Sequence, residues 1–293
     1  MTNRSKFLAQ ALVLAIVASG AGHGMSLAQS PTEADGQQIV LQAARNLLAL
    51  PGIDAEFNYR TQAYDQSLQG TGRYLQLGGG PEKLFRLELN TQLDGYKASQ
   101  QTIGGRQYLW IRRDLGPDQR SLGRVQLRQL KQAIEAAGPP LSLDPSPTWL
   151  GIISLPKMLG SLANWFEFEP AEEAMLSDRQ VLRLRGQIKP DLRSQLVSGS
   201  KGKGGEQIPD AIELILGTDK ALPLFPYRLE YLKRPPKVKN GALTPLLTLD
   251  FISVKVRGDL DPQLFEYYPS DQEVEDRTRL FLDRLGFQAK PER

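Results

Sequence analysis

The sequence predicts an α+β protein built on a large antiparallel sheet, and three features of its 293 residues predict it. Short segments of alternating apolar and polar residues recur in two long runs. Helical periodicity appears at the two ends and in the middle, not between successive strands, which argues against a βαβ plan. No linker divides residues 29–293, so a single domain is expected there. The patterns suggest roughly nine or ten strands and three or four helices.

The chain opens on Arg4 and Lys6, an apolar run from Phe7 to Val17, and small residues leading to Ser26-Leu27-Ala28. That order describes a secretory signal peptide over residues 1–28, too short in its apolar part for the roughly 20 residues a spanning helix needs. Its removal leaves the remainder close to neutral and takes away His23, the only histidine. The expected destination is the periplasm.

Residues 37–50 place Ile39, Val40, Ala43, Ala44, Leu47 and Leu48 on one helical face before Pro51-Gly52 ends the helix. Ala55, Phe57, Tyr59 and Thr61 then alternate with polar neighbours as a half-buried strand, and residues 70–77 form the next. After the turn Gly78-Gly79-Gly80-Pro81, Phe85, Leu87 and Leu89 alternate with Arg86 and Glu88, which share a polar face. Tyr108-Leu109-Trp110-Ile111 is apolar on both faces, so that strand is expected to be covered on both sides.

A strand at 121–127, a helix at 128–137 and a Pro-rich connection at 139–147 follow. Ser154 is placed to cap a helix with Pro156 in its first turn and Leu155, Met158, Leu159, Leu162, Trp165 and Phe166 along its stripe. The second half holds strands around Leu182–Ile188, Ile212–Leu216, Phe225–Tyr231 and 244–257. The last changes phase from Leu247, Leu249 and Phe251 to Ile252, Val254 and Val256, which predicts a β-bulge near residue 251. Pro269–Glu273 reads as a capping box opening a helix with Val274, Thr278, Phe281, Leu282 and Leu285 inward.

Composition removes most catalytic chemistry. With no cysteine there is no disulfide scaffold, thiolate nucleophile or cysteine-ligated metal, and beyond His23 there is no imidazole. The near-neutral remainder gives no field for nucleic acid. The Gly199–Gly205 stretch lacks the ending and context of a phosphate loop and reads as a surface loop. Asp271, Glu273, Glu275 and Asp276 lack calcium-loop spacing and suit a helix start. No spacing singles out a nucleophile with a base, so neither an enzyme nor a cofactor is expected.

The aromatic pattern is more informative. Phe57, Tyr59, Phe85, Trp110, Trp165, Phe166, Phe225, Tyr227 and Phe251 all fall on apolar faces of expected elements. A large sheet with an apolar face under amphipathic helices can be solid or can hold a cavity for an acyl chain.

Several segments, in order, resemble the outer-membrane lipoprotein carrier (LolA-like) superfamily. They are helix 37–50 leading into Ala55-Glu56-Phe57, then Gly70-Thr71-Gly72-Arg73-Tyr74, and Phe85-Arg86-Leu87-Glu88. Gly104-Gly105-Arg106-Gln107-Tyr108-Leu109-Trp110, Phe265-Glu266-Tyr267-Tyr268-Pro269 and Val274-Glu275-Asp276 complete the series. The long middle, 139–236, is similar to a divergent branch of unassigned role. In the carriers, the turn before the Phe85-type strand supplies an arginine that holds a helical lid; here that turn is Gly78–Pro81, followed by Glu82 and Lys83.

The resemblance implies an incomplete β-barrel, apolar on its concave face and covered by helices. It implies an extracytoplasmic carrier or chaperone for a lipid, an acylated peptide or a lipoprotein. The alternative is an envelope protein-interaction or sensor module on the same scaffold. Cavity candidates are then Phe57, Tyr59, Phe85, Leu87, Trp110, Phe225, Tyr227 and Phe251 on the sheet, with Met158, Trp165 and Phe166 on the helical cover.

Overall fold

The computed structural model describes residues 35–63, 66–79, 83–93, 96–116, 119–137, 154–199, 208–235, 241–270 and 273–284. The expected signal segment, the Pro-rich connection 139–147 and residues 200–205 of the glycine-rich loop lie outside these.

Helix α1 (Gly36–Ala49) leads into a meander of β1 (Gly52–Ala63), β2 (Gln66–Leu77), β3 (Leu84–Leu93), β4 (Tyr96–Gly104), β5 (Tyr108–Asp114) and β6 (Arg120–Gln126). Helix α2 (Leu127–Ala137) follows, then α3 (Leu155–Trp165), which runs directly into β7 (Phe166–Phe168). Next come β8 (Glu172–Leu176), β9 (Arg179–Ile188), α4 (Pro190–Gly199), β10 (Ala211–Gly217), β11 (Pro226–Lys233) and β12 (Thr244–Val256). A 3₁₀ turn (Pro262–Phe265), β13 (Val274–Asp276) and α5 (Thr278–Arg284) end the described chain.

All thirteen strands join one open sheet in the order β13-β6-β5-β4-β3-β2-β1-β12-β11-β10-β9-β7, with β8 also on β9. Every pairing is antiparallel except β13 on β6. The seam between the two meanders is β1 against β12, where the chain's first and last long strands meet. The architecture is α+β, and it exceeds the expected nine or ten strands because β7, β8 and β13 are too short to leave a period-two signature.

The expected bulge is present. Pairing runs Glu56↔Ser253 and then Phe57↔Phe251, so Ile252 is the extra residue and points out, 63% exposed. Ile252, as the extra residue, does not join the new apolar phase; beyond the bulge Val254 packs on the core, and Val256 keeps that phase opposite Ile53 but is 41% exposed at the strand's end.

Two helix expectations also need correction. Phe166 belongs to β7, not to the end of α3, because its backbone pairs with Ile188. Val274 begins a parallel edge strand on Leu122, and the C-terminal helix starts only at Thr278, whose N–H donates to Asp276 Oδ1 at 3.0 Å. An open ladder edge on β6 outcompetes a helical turn for those backbone groups.

Alternation puts Ala55, Phe57, Tyr59, Tyr74, Phe85, Leu87, Leu109 and Ile111 on one face, here called the inner face. Val40, Ala43 and Leu47 of α1 and Leu155, Met158, Leu159 and Leu162 of α3 cover it within one apolar cluster. A smaller cluster of Leu75, Leu260 and Phe265 seals part of the outer face.

Candidate functional site

Ten of the eleven cavity candidates come together in this inner cluster: Phe57, Tyr59, Phe85, Leu87, Met158, Trp165, Phe166, Phe225, Tyr227 and Phe251. They come from β1, β3, β11 and the residue before it, β12, α3 and β7, so the register of five strands and one helix must be right for them to meet. Phe251 sits at the centre, its ring centroid 5.2 Å from both Phe57 and Phe225, across the β1–β12 seam and the β12–β11 pair. Phe225 in turn meets Tyr227 edge-on at 5.3 Å. Offset and edge-on rings at these separations attract beyond simple area burial.

Trp110 is not among them. Leu109 and Ile111 take the inner positions of β5, which leaves Trp110 on the outer face at 5.4 Å from Tyr267 and 5.8 Å from Tyr108. The segment after the 3₁₀ turn therefore supplies the second covering that a strand apolar on both faces requires.

The aromatic rings lie along the sheet. A Cβ added at Gly72 would stand 2.2 Å from Phe57 Cζ, and one at Gly104 would stand 2.2 Å from Phe85 Cε1. Each glycine is the cross-strand partner of the ring above it. Only glycine permits that approach.

What ties the helices to the sheet is a buried polar chain that hydropathy alone does not reveal. Tyr74 and Gln76, both fully buried, occupy successive inner positions of β2. Tyr74 Oη donates to Gln76 Oε1 at 3.0 Å and accepts from the Leu155 N–H at 3.2 Å, which satisfies the first amide of α3. Gln76 Nε2 donates to the Leu47 carbonyl near the end of α1 at 3.3 Å. Burial drives the Tyr74 phenol far up, against the weaker opposing effect of its bond with Leu155, so it stays a neutral hydroxyl. At the other end of α1, the Gln37 amide donates to the Ala163 carbonyl and accepts from the Phe168 N–H at 3.3 Å. The sequence did carry one sign of this: a glutamine in phase with the inward Tyr74.

Ser154 does precede α3, but its side chain makes no capping bond. Its backbone φ is 63°, its carbonyl accepts from the Met158 N–H at 2.9 Å, and its Oγ is buried without a partner. Lys83, only 8% exposed, likewise holds its Nζ without a hydrogen-bond partner among the described residues. Burial, helped by the charge of Lys157, lowers the Lys83 ammonium to about 8.

The outer face is different in kind. A groove of about 1200 Å³ there is lined by polar side chains, among them Asn58, Arg60, Thr71, Asn90, Arg228 and Asp250. Arg228 and Asp250 pair across β11 and β12, and on β3 Arg86 Nε donates to Glu88 Oε1 at 2.8 Å as their shared face suggested. No group of three or more His, Cys, Asp or Glu among the described residues is arranged to hold a metal ion. No described helix is long and apolar enough to cross a membrane.

No protein-family model and no curated protein matches this chain. Solved structures similar to it include a DUF1329 family protein from Desulfovibrio piger, 12% identical, covering 81% of this chain and 98% of that one with a TM-score of 0.36. MucB is 15% identical over 81% of this chain and 65% of its own, with a TM-score of 0.40. A LolA superfamily protein from Nitrosomonas europaea is 14% identical over 80% of this chain and 98% of its own, with a TM-score of 0.31.

Proposed function

We propose that this chain is an extracytoplasmic carrier that shelters an acyl chain, borne by a lipid or an acylated peptide, against the inner face of its sheet. The observation that carries the reading is the cover: α1 and α3 bury an apolar face drawn from both meanders of an open sheet. Among the described residues few polar bonds tie those helices down. An acyl chain entering beneath them exchanges one apolar contact for another, so helix and ligand compete on nearly equal terms. Each CH₂ moved out of water contributes about 0.8 kcal/mol. A chain of ordinary length can thus offset the loss of a helix–sheet contact and still be released.

Phe57, Tyr59, Phe85, Leu87, Phe166, Phe225, Tyr227 and Phe251 form the floor in this reading, and Met158 and Trp165 the roof. Trp110 has no part in it. No step of the cycle makes or breaks a covalent bond.

The test is native mass spectrometry with lipid extraction on protein purified without harsh detergent. The expected result is about one lipid or acylated peptide per chain, with lower occupancy for Trp165→Ala. A clean apo mass, unchanged after incubation with lipids and acylated peptides, overturns the proposal.

A second reading, recognition of an envelope protein, draws on the sheet edge. Strand β8 pairs only with β9 among the described residues, and its Met175 is 60% exposed. Such an edge can accept a strand from another chain. Co-purification of one stoichiometric protein, lost on Ala174→Pro, would favour it.

A further inference from the structure

Lys83 and Lys157 do not fit a merely structural account. Lys83 stands just before Leu84, which pairs with Leu77 at the end of β2. That places it two residues beyond the buried Gln76 and beside the clasp between sheet and helices. Its amine is buried and meets no acceptor among the described residues. Leaving such a group unpaired is unfavourable, the more so when it is charged. The charge acting on it belongs to Lys157, in the first turn of α3, so Lys83 is near that helix's positive end.

Lys157 in turn feels Lys131 of α2. Desolvation and that neighbour push its ammonium below the usual lysine value, although the residue as a whole is exposed. Among the described residues no carboxylate pairs with Lys83 or Lys157, although acidic partners hold arginines elsewhere on the sheet. The buried, unpartnered Ser154 Oγ lies at the same helix end. Two ammonium groups, a helix N-terminus and a spare hydroxyl are therefore gathered where no carboxylate among the described residues answers them.

We propose that Lys83, Lys157 and the N-terminal turn of α3 form a binding site for a phosphate-ester anion, the headgroup of the acyl ligand. The proposal rests on the carrier reading for its acyl chain but not for its anion. Helix N-termini with flanking lysines bind phosphate through amide dipoles and charge-assisted hydrogen bonds. The site adjoins Tyr74 and Leu155, where the apolar cluster begins, so a headgroup here points its chain beneath α3. A bound dianion also restores the Lys83 ammonium toward its ordinary value, by supplying the partner it lacks.

Calorimetry on the full-length protein separates the sources of that anion. The probes are dihexanoyl phosphatidic acid, neutral dihexanoylglycerol with the same chains, and inorganic phosphate. The phosphatidic acid should bind tenfold or more tighter than the diacylglycerol, with inorganic phosphate competing. Lys83→Met and Lys157→Met should each remove most of that advantage and leave the diacylglycerol unaffected. Lys157 is exposed, so its variant retains the fold even if the buried Lys83→Met does not, and thermal melting checks both.

Equal affinity for the charged and neutral lipids, with no phosphate competition, overturns the anion site and leaves the carrier reading standing. Saturable phosphate binding lost in both variants, with no binding of either lipid, keeps the anion site and removes the carrier reading.

Discussion

Replacing Tyr74 by phenylalanine removes one oxygen and nothing else, and the structure gives that oxygen two partners in a dry site. Its bonds to Gln76 Oε1 at 3.0 Å and from Leu155 N–H at 3.2 Å both disappear. Each such bond contributes about 1 kcal/mol net, and an amide left buried without an acceptor costs about 1–3 kcal/mol more. The gap left by a hydroxyl is too small to hold a water with its own partners. Tyr74→Phe should therefore destabilise the fold by about 3–5 kcal/mol in urea titration, without changing the slope.

The same substitution has a local signature. The amides at the start of α3 should exchange with solvent faster than those of β1 and β2, because only the helix end has lost its tie. A loss below about 0.5 kcal/mol, with exchange at Leu155–Leu159 unchanged, would refute the view that this hydroxyl holds the cover.

Other outcomes follow from the same structure. Gly72→Ala should cost about 1–3 kcal/mol, since its Cβ would meet the Phe57 ring at 2.2 Å, and Phe57→Leu in the same chain should recover part of that loss. The Lys83 ammonium is lowered to about 8, so between there and the ordinary value of 10.5 the unfolded chain binds the proton that the folded chain has released. Stability should accordingly rise with pH across that window, and the difference curve against Lys83→Met should isolate the rise from the titration of tyrosines. Arg183→Ala, which breaks an exposed pair with Glu172, should leave the urea midpoint unchanged in the same assay.

The sequence was most legible where apolar side chains kept a strict period. The inner face of β1 and β3, the α1 stripe and the phase change near Phe251 could all be read because each is a repeated decision about which side faces the core. Short edge strands are set by backbone bonds to a partner far away in sequence, as Val274 to Leu122 shows, and leave no such repeat. Trp110 was misplaced because an apolar residue on each side of a strand does not say which side is inner. The Tyr74–Gln76 chain and the isolated Lys83 escaped for another reason: their meaning lies in what surrounds them, not in their own polarity. A positive φ at Ser154 is likewise imposed from outside, since serine prefers the ordinary N-cap geometry.

The direct passage of α3 into β7 makes the cover a lever with a fixed fulcrum. No loop separates Trp165 from Phe166, and Phe166 is locked to Ile188 while the Lys189 N–H donates to the Trp165 carbonyl at 3.0 Å. The helix can swing only about that end. Its eleven residues make an arm of about 16 Å, so a rotation of about 20° lifts the far tip by about 5–6 Å. That tip is Leu155, whose N–H donates to the Tyr74 phenolic oxygen. Force applied there acts with the greatest leverage, whereas loosening Phe166 would free the pivot and disturb the sheet edge itself.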